Sequence, residues 1–396
     1  MMLTILFWGL LFVLFYTYLG YGLVLWLMVK VKNIVVPNKK NIYNASFEPA
    51  VCLFVTAYNE KNYVQQKIEN SFALDYPKEK IQYVWVTDGS DDGTPEILQK
   101  YPELEIYHLP ERCGKMHAMN RGMKFVKAPF VIFSDTNTLL GKNSIREIVK
   151  QFSNEKVGCV AGEKRIIESN SETAAGAGEG LYWRLESWIK KNDSDLNSAV
   201  GAVGELFAVR TNLFRDVETD TLLDDFIISL RIAMKGYKIA YTPEAYAEET
   251  ASLNVAEELK RKIRIAAGGV QTIFRLKELM NPFKYRILSW QYFSHKVLRW
   301  TITPLALFLL PVVNLLLVLQ QGNWNPSNFY AFVFWFQLLC YIVALFGWYF
   351  EHKKMRLKLF FAPYYFVMIN YAGICGIIRY IKGRQSVNWE KSKRAG

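Results

Sequence analysis

The sequence predicts an α/β domain with a mostly parallel sheet, attached to a bilayer by interfacial amphipathic helices and transmembrane α-helices. Three observations predict this. Charge is absent from long stretches at both ends of the chain. Between those stretches, apolar β-rich runs alternate with helix-forming ones. Acidic clusters fall at the ends of the apolar runs. The 396 residues are 21% charged and 51% hydrophobic, ordinary averages that hide a segregated chain. No charged residue occurs from Met1 to Val29, from Trp300 to Phe350, or from Leu359 to Ile378. About 20 apolar residues cross the hydrocarbon layer as a helix, so these are span lengths.

Residues 1–32 read as an N-terminal transmembrane helix. The uncharged stretch is longer than the apolar region of a signal peptide. No base precedes it, and no small-residue cleavage site follows, so it is expected to be retained. Lys30, Lys32, Lys39 and Lys40 follow it and place the next domain in the cytoplasm.

Residues 48–250 form that domain. Ala50–Ala57 is a buried strand, followed by a helix near Tyr63–Phe72. Tyr83–Thr87 is a second strand that ends in Asp88-Gly89-Ser90. A helix covers about 115–126, and Phe130–Phe133 is a strand ending at Ser134-Asp135. Strands separated by helices imply a parallel sheet covered on both faces, with ligands beyond the carboxyl ends of its strands.

Residues 251–298 carry apolar positions at helical spacing with bases between them. Next to Trp300, this suits helices on a bilayer surface. Residues 299–382 hold about three further spans, the first two separated by the polar turn Gln320–Pro326. Glu351-His352-Lys353-Lys354 and Arg356 then lie inside, in agreement with the first helix. Residues 383–396 are a basic tail. The run Arg379 to Arg394 would fall outside after a full fourth crossing. Either segment 359–378 is re-entrant or interfacial, or the count is off by one.

The net charge of +12 is concentrated beside the spans and in 260–299. It predicts anionic membrane lipid, and not nucleic acid, as the partner. Cys52, Cys113, Cys159, Cys340 and Cys375 show no pairing or zinc spacing, as expected of a reducing compartment.

Four polar clusters carry chemistry. Thr56-Ala57-Tyr58-Asn59-Glu60 closes the first strand. Asp88-Gly89-Ser90-Asp91-Asp92-Gly93-Thr94 combines carboxylates with glycines that permit tight turns near a ligand. It lacks the terminal glutamate of a calcium loop. In Ser134-Asp135-Thr136-Asn137, a strand-end carboxylate is placed to hold a divalent ion, or to act as a turn former. Asp224 and Asp225 open a helical run to Met234. They either complement the helix dipole or supply a general base.

Together these clusters resemble the membrane-bound family 2 glycosyltransferases, which include cellulose, hyaluronan and poly-N-acetylglucosamine synthases. The likeness runs from about Pro49 to the C-terminus. It implies a GT-A-type nucleotide-sugar-binding fold in which Tyr58 and Glu60 line the nucleotide pocket and Asp88 contacts uracil. Lys115, in Gly114-Lys115-Met116-His117, looks like the lysine beside the diphosphate. His117 itself is expected on the helix surface. Asp135 and Asn137 match the metal motif for Mg2+ or Mn2+. Gly201 to Arg210 resembles the loop and strand under the acceptor. Asp225 matches the general base, with Asp224 where glutamate is usual.

Two positions depart from the pattern. Asn137 replaces an aspartate and brings an amide oxygen without charge, so metal binding should be weaker. In Arg261-Lys262-Ile263-Arg264-Ile265, Arg264 keeps the cation of a Gln-Arg-any-Arg-Trp signature. Ile265 lacks the aromatic platform, which counts against long processive synthesis.

The resemblance implies an inverting, UDP-sugar-dependent hexosyltransferase of the cell membrane with a cytoplasmic catalytic domain. Its acceptor is a lipid-linked or growing saccharide, and it acts with or without partner subunits of an export or assembly complex. The alternative is a catalytically silent nucleotide-sugar-binding subunit.

Overall fold

A computed structural model describes residues 1–36, 47–167, 174–353 and 358–383. Lys39, Lys40, Lys354, Arg356 and nearly all of the basic tail lie outside the described residues.

The chain opens with α1 (Met2–Phe15) and α2 (Tyr21–Val35), joined through a π-helical turn into one rod. Next come β1 (Val51–Ala57), α3 (Lys61–Phe72), β2 (Ile81–Asp88), α4 (Thr94–Leu98), β3 (Leu104–Leu109), α5 (Lys115–Met123) and β4 (Phe130–Asp135). β5 (Leu139–Leu140), α6 (Ser144–Phe152), β6 (Val157–Ile167), α7 (Ala174–Leu196), β7 (Leu206–Arg210), α8 (Asp224–Met234) and β8 (Lys238–Thr250) complete the α/β unit. The remainder is helical: α9 (Val255–Arg275), α10 (Pro282–Tyr285), α11 (Ile287–Tyr292), α12 (Leu298–Trp300), α13 (Ile302–Gln321), α14 (Phe329–His352) and α15 (Lys358–Ile381).

The eight strands form one sheet in the order β3-β2-β1-β4-β7-β6-β8-β5. β3, β2, β1 and β4 are mutually parallel. β7 runs antiparallel to both neighbours and makes the sheet mixed. Both faces are covered, which explains why β1 reads as an unbroken apolar run. Val64, Ile68, Leu98, Ile148 and Phe152 from α3, α4 and α6 pack on one face. Met116 and Met119 of α5 and Ile227 and Leu230 of α8 pack on the other.

The second face also receives Leu276, Leu279, Leu288, Tyr292 and Val297. The apolar stripe of 283–299, expected at the bilayer surface, therefore turns in part toward the α/β domain, through Leu288, Tyr292 and Val297. Its periodicity reported a covered face, and protein does part of the covering.

Four helical stretches are long and apolar enough to cross a membrane: Met2–Val35, Ile302–Gln321, Phe329–Glu351 and Phe360–Ile381. α1 packs antiparallel to α13, with Phe7 against Leu310, Val313 and Leu317. Thr17 meets Thr303 at 2.9 Å. α13 and α14 are antiparallel as well, with Tyr341 Oη donating to the Leu307 carbonyl at 2.9 Å.

α15 packs differently. Tyr365 Oη donates to Glu258 at 3.0 Å, Gly376 presses on Ala266, and Tyr380 stacks on Phe274 at 5.6 Å, so α15 runs alongside α9 and parallel to it. Phe360 meets Phe346 and Phe350 at the end of α14, while Gly373 meets Pro304 at the start of α13. These points on α15 are about 20 Å apart at ~1.5 Å per residue, yet both touch the same end of the α13–α14 pair. α15 lies across that end.

Candidate active site

Parallel pairing brings the carboxyl ends of β1, β2 and β4 together, with Thr56 opposite both Val86 and Asp135. The loops that follow hold each other. Asn59, in the left-handed region at φ 52°, donates its side-chain amide to Asp91 at 2.9 Å and accepts the Asp91 N–H at 3.0 Å. The Glu60 N–H donates to Thr94 Oγ1 at 2.9 Å.

Asp88 accepts the N–H groups of Cys113 and Gly114 at 3.1 and 2.7 Å and so shapes the turn into α5. Gly89 is required there. Its φ is +70°, and a Cβ would stand 2.8 Å from the Arg112 nitrogen. The Arg112 guanidinium lies 3.9 Å from the centre of the Tyr58 ring. Tyr58, Glu60, Asp88, Arg112, Lys115 and Asp135 line one small cleft.

The cleft adjoins a cavity of about 860 Å3, whose walls include Glu60, Lys115, Asp135, Asn137, Asp224, Asp225 and Arg264. Lys115 is central. Its Nζ lies 2.9 Å from Asp135 Oδ1 and 3.0 Å from Asp224 Oδ2. Enclosure opposes its charge, but Asp135 and Asp224 outweigh that and raise its pKa above that of a free lysine. Enclosure raises the Asp135 carboxyl, and Lys115 opposes the rise. Below the turn, buried Lys67 donates to Ser134 Oγ at 2.7 Å and to the Thr138 carbonyl at 2.8 Å. Burial lowers its pKa to about 7, with Asp135 opposing.

Asn137 donates its amide N–H to Glu249 Oε1 at 2.8 Å. Lys164 joins Glu249 to Glu205, at 2.5 Å from the latter. Enclosure would raise Glu205, but the Lys164 ammonium overrides it and brings the group down to about 2.

Asp224 and Asp225 occupy the first turn of α8, where the helix dipole favours negative charge. Asp225 is nonetheless pushed up to about 7, first by enclosure and then by Asp224 beside it. The loop before β7 crosses over Asp225. A Cβ on Gly204 would lie 3.6 Å from the Asp225 carboxyl carbon. Gly201 has φ +84°, and a Cβ there would fall 2.1 Å from the Phe226 ring. A carboxyl protonating near neutrality, next to an ammonium and a second carboxylate, can exchange a proton with a hydroxyl in the cavity.

Residues 49–268 match the model of the glycosyltransferase like family 2, more than half of the chain. The chain belongs to that family. Among curated relatives of this family member are the poly-beta-1,6-N-acetyl-D-glucosamine synthases of Staphylococcus aureus strain MSSA476 and of Staphylococcus epidermidis. They are 27% identical over 247 residues and 25% identical over 248. Each alignment takes 60% of this chain and 59% or 58% of the relative, so the chain spans under two thirds of their length. A mannosyltransferase from Pyrobaculum calidifontis, solved with GDP-Man and Mn2+, superposes with a TM-score of 0.72 at 21% identity. The match covers 97% of this chain and 100% of that one. It shows a shared fold, the GT-A arrangement.

Tyr58, Glu60 and Asp88 thus gather at the cleft, and Lys115, Asp135, Asn137, Asp224, Asp225 and Arg264 in the cavity beside it. His117, expected on the surface of α5, is half-buried. Its ring lies within 4.8 Å of ligating atoms of Asp88 and Cys113. Residues that sequence reasoning missed are Lys67, Lys164, Glu205, Glu249, Trp183 and Trp300. Only Trp300 had a local signal, its place at the edge of a span. The two tryptophans bring aromatic surface to the cavity wall that Ile265 also lines.

Proposed function

We propose that this chain is an inverting glycosyltransferase that moves a hexose from a UDP-sugar to a lipid-linked or growing saccharide acceptor at the cytoplasmic membrane face. The observation that carries this reading is Asp225, a carboxyl titrating near 7 in the cavity that also holds Lys115 and Asp135. Asp225 accepts the proton of the acceptor hydroxyl as its oxygen attacks the anomeric carbon. The glycosyl–phosphate bond breaks on the opposite side, and inversion follows from that single displacement. Lys115 supplies positive charge where the departing diphosphate gains negative charge, an interaction strongest in the transition state.

Asp135 and the amide oxygen of Asn137 are hard oxygen donors and fit Mg2+ or Mn2+. When bound there, the ion neutralises diphosphate charge. Asn137 turns its N–H toward Glu249, which leaves its carbonyl oxygen as the ligating atom. Tyr58, Glu60, Asp88 and Arg112 receive the nucleotide. Arg264 closes over the phosphates, and Trp300 offers the acceptor the stacking face that Ile265 lacks.

In this reading α1, α13 and α14 cross the cell membrane. The position of α15 across the end of α13 and α14 supports the interfacial alternative for segment 359–378, which keeps the basic tail on the catalytic side and satisfies the charge rule. Release of nucleoside diphosphate by the purified full-length protein in native lipid, with separate UDP-sugars and GDP-mannose, tests the function. UDP release with one UDP-sugar and product of matching mass is expected. No release with any donor would leave a silent binding subunit, and release with GDP-mannose alone would overturn the choice of uridine.

A further inference from the structure

The cavity extends well past the reacting carboxylates. From Asp225 it continues along Lys190, Glu186, Lys296, Arg299 and Trp300 to Tyr18 of the first helical rod and to Phe366, Ile369 and Asn370 of α15. The order follows from contacts. Lys190 donates to the carbonyl of Ala202 at 2.9 Å, in the loop that passes over Asp225. Lys296 and Arg299 both reach Glu186, Arg299 at 2.9 Å. Tyr18 Oη donates to Asn370 at 2.7 Å and its ring packs on Phe366 at 4.7 Å.

Charge along this arm is unequal. Among the described residues lining it, Lys190, Lys296 and Arg299 outnumber Glu186, with Asp225 near Lys190 at its start. Asp193, behind them, is committed to His295 at 2.8 Å and to Tyr21. Burial and the neighbouring cations Lys190 and Arg299 lower the Lys296 pKa to about 8, against the pull of Glu186. Enclosed cations in excess of their partners are costly, and an arriving anion offsets that cost. Beyond them the walls become apolar, on helices that meet the bilayer.

We propose that this arm binds a lipid-linked saccharide acceptor by its phosphate: Lys190, Lys296 and Arg299 hold the phosphate, and the apolar chain lies along Phe366 and Ile369 of α15. The inference rests on the glycosyltransferase reading and names the acceptor class. With the phosphate held there, a saccharide carried on it extends toward Asp225, which accepts the proton of its attacking hydroxyl. The chain then leaves at the depth where α15 crosses the ends of α13 and α14. A saccharide without charge or tail would use neither feature.

Binding is read without donor, by fluorescence of the full-length protein in phosphatidylcholine nanodiscs, because Trp183 and Trp300 line the cavity. The probes are farnesyl phosphate, farnesol and inorganic phosphate. Farnesyl phosphate is expected to bind at least tenfold tighter than either of the others. Lys190→Gln and Arg299→Gln should each weaken it at least fivefold and leave farnesol unchanged. Ile369→Trp, which fills the apolar end, should weaken both farnesyl ligands. Equal affinity for farnesol and farnesyl phosphate would overturn the proposal. So would equal affinity for inorganic phosphate, which would mark a free-anion site. Wild-type binding by both charge variants at unchanged melting temperature would do the same. UDP binding, measured in parallel, reports on the nucleotide site alone, so failure here is distinct from failure of the glycosyltransferase reading.

Discussion

Nζ of Lys115 stands 3.0 Å from Oδ2 of Asp224, so the first turn of α5 and the first turn of α8 are joined by one ion pair. The same ammonium holds Asp135 at 2.9 Å. The carboxylate beside the proposed base and the one proposed to hold metal therefore share a single cation.

Removing the base is the sharpest test of the chemistry. Asp225→Asn keeps the shape of the α8 turn but cannot accept a proton. Turnover should fall by about 10²–10⁴-fold, while calorimetric affinity for UDP stays within twofold. Near wild-type transfer would remove Asp225 from its role.

The pH profile follows from the same group. Its pKa in the folded protein is raised to about 7, so kcat/KM should rise as pH passes through neutrality and Asp225 loses its proton. The unfolded chain releases that proton at lower pH. The stabilisation from the protonated carboxyl is thus complete in acid and is lost as pH rises through about 7. Melting curves should show Asp225→Asn gaining stability over wild type as pH rises from about 4 to about 7, and holding that gain at pH 8.

Lys115 lowers the Asp225 pKa through space. Lys115→Met should therefore shift the acidic limb of the rate profile to higher pH, besides lowering kcat by about 10²-fold or more through loss of charge at the leaving group. A fall in rate without movement of the limb would confine Lys115 to the diphosphate.

Asn137→Asp restores the charge that the family pattern has at this position, but it places a carboxylate where an amide N–H meets Glu249. A cost of about 1–3 kcal/mol in unfolding free energy is expected. The double variant Asn137→Asp/Glu249→Gln should recover most of it. It should also require less Mn2+ for half-maximal activity than wild type.

Much of the catalytic domain was legible because its strands obey simple rules. Val51–Val55 and Val84–Val86 are buried on both faces, so they appear as continuous apolar runs ending in polar loops. Asp88, Asp135 and Asp225 stood out as acids at element ends. Lys164 could not be read. It is buried at 3% exposure only because Glu205, in the turn before β7, and Glu249 of β8 close on it, and no local pattern announces such a partnership. Glu186, Lys296 and Arg299 were hidden for the same reason, since α7 and the segment before α13 meet only in three dimensions. The apolar stripe of 283–299 tells that a face is covered and not by what: Leu288, Tyr292 and Val297 pack on the α/β domain, while Phe283, Ile287 and Phe293 stay exposed.

The rod formed by α1 and α2 holds 34 residues, about 50 Å at ~1.5 Å each, against ~30 Å of hydrocarbon. Its surplus length is fastened to the catalytic domain: Tyr21 donates to Asp193, and Lys32 donates to the carbonyls of Asp195 and Leu196 at 2.6 and 2.8 Å. In the proposed topology, a strut anchored at both ends fixes the altitude of the reaction centre above the lipid. Substrates of different reach would then be sorted by height alone, before any contact distinguishes their sugars.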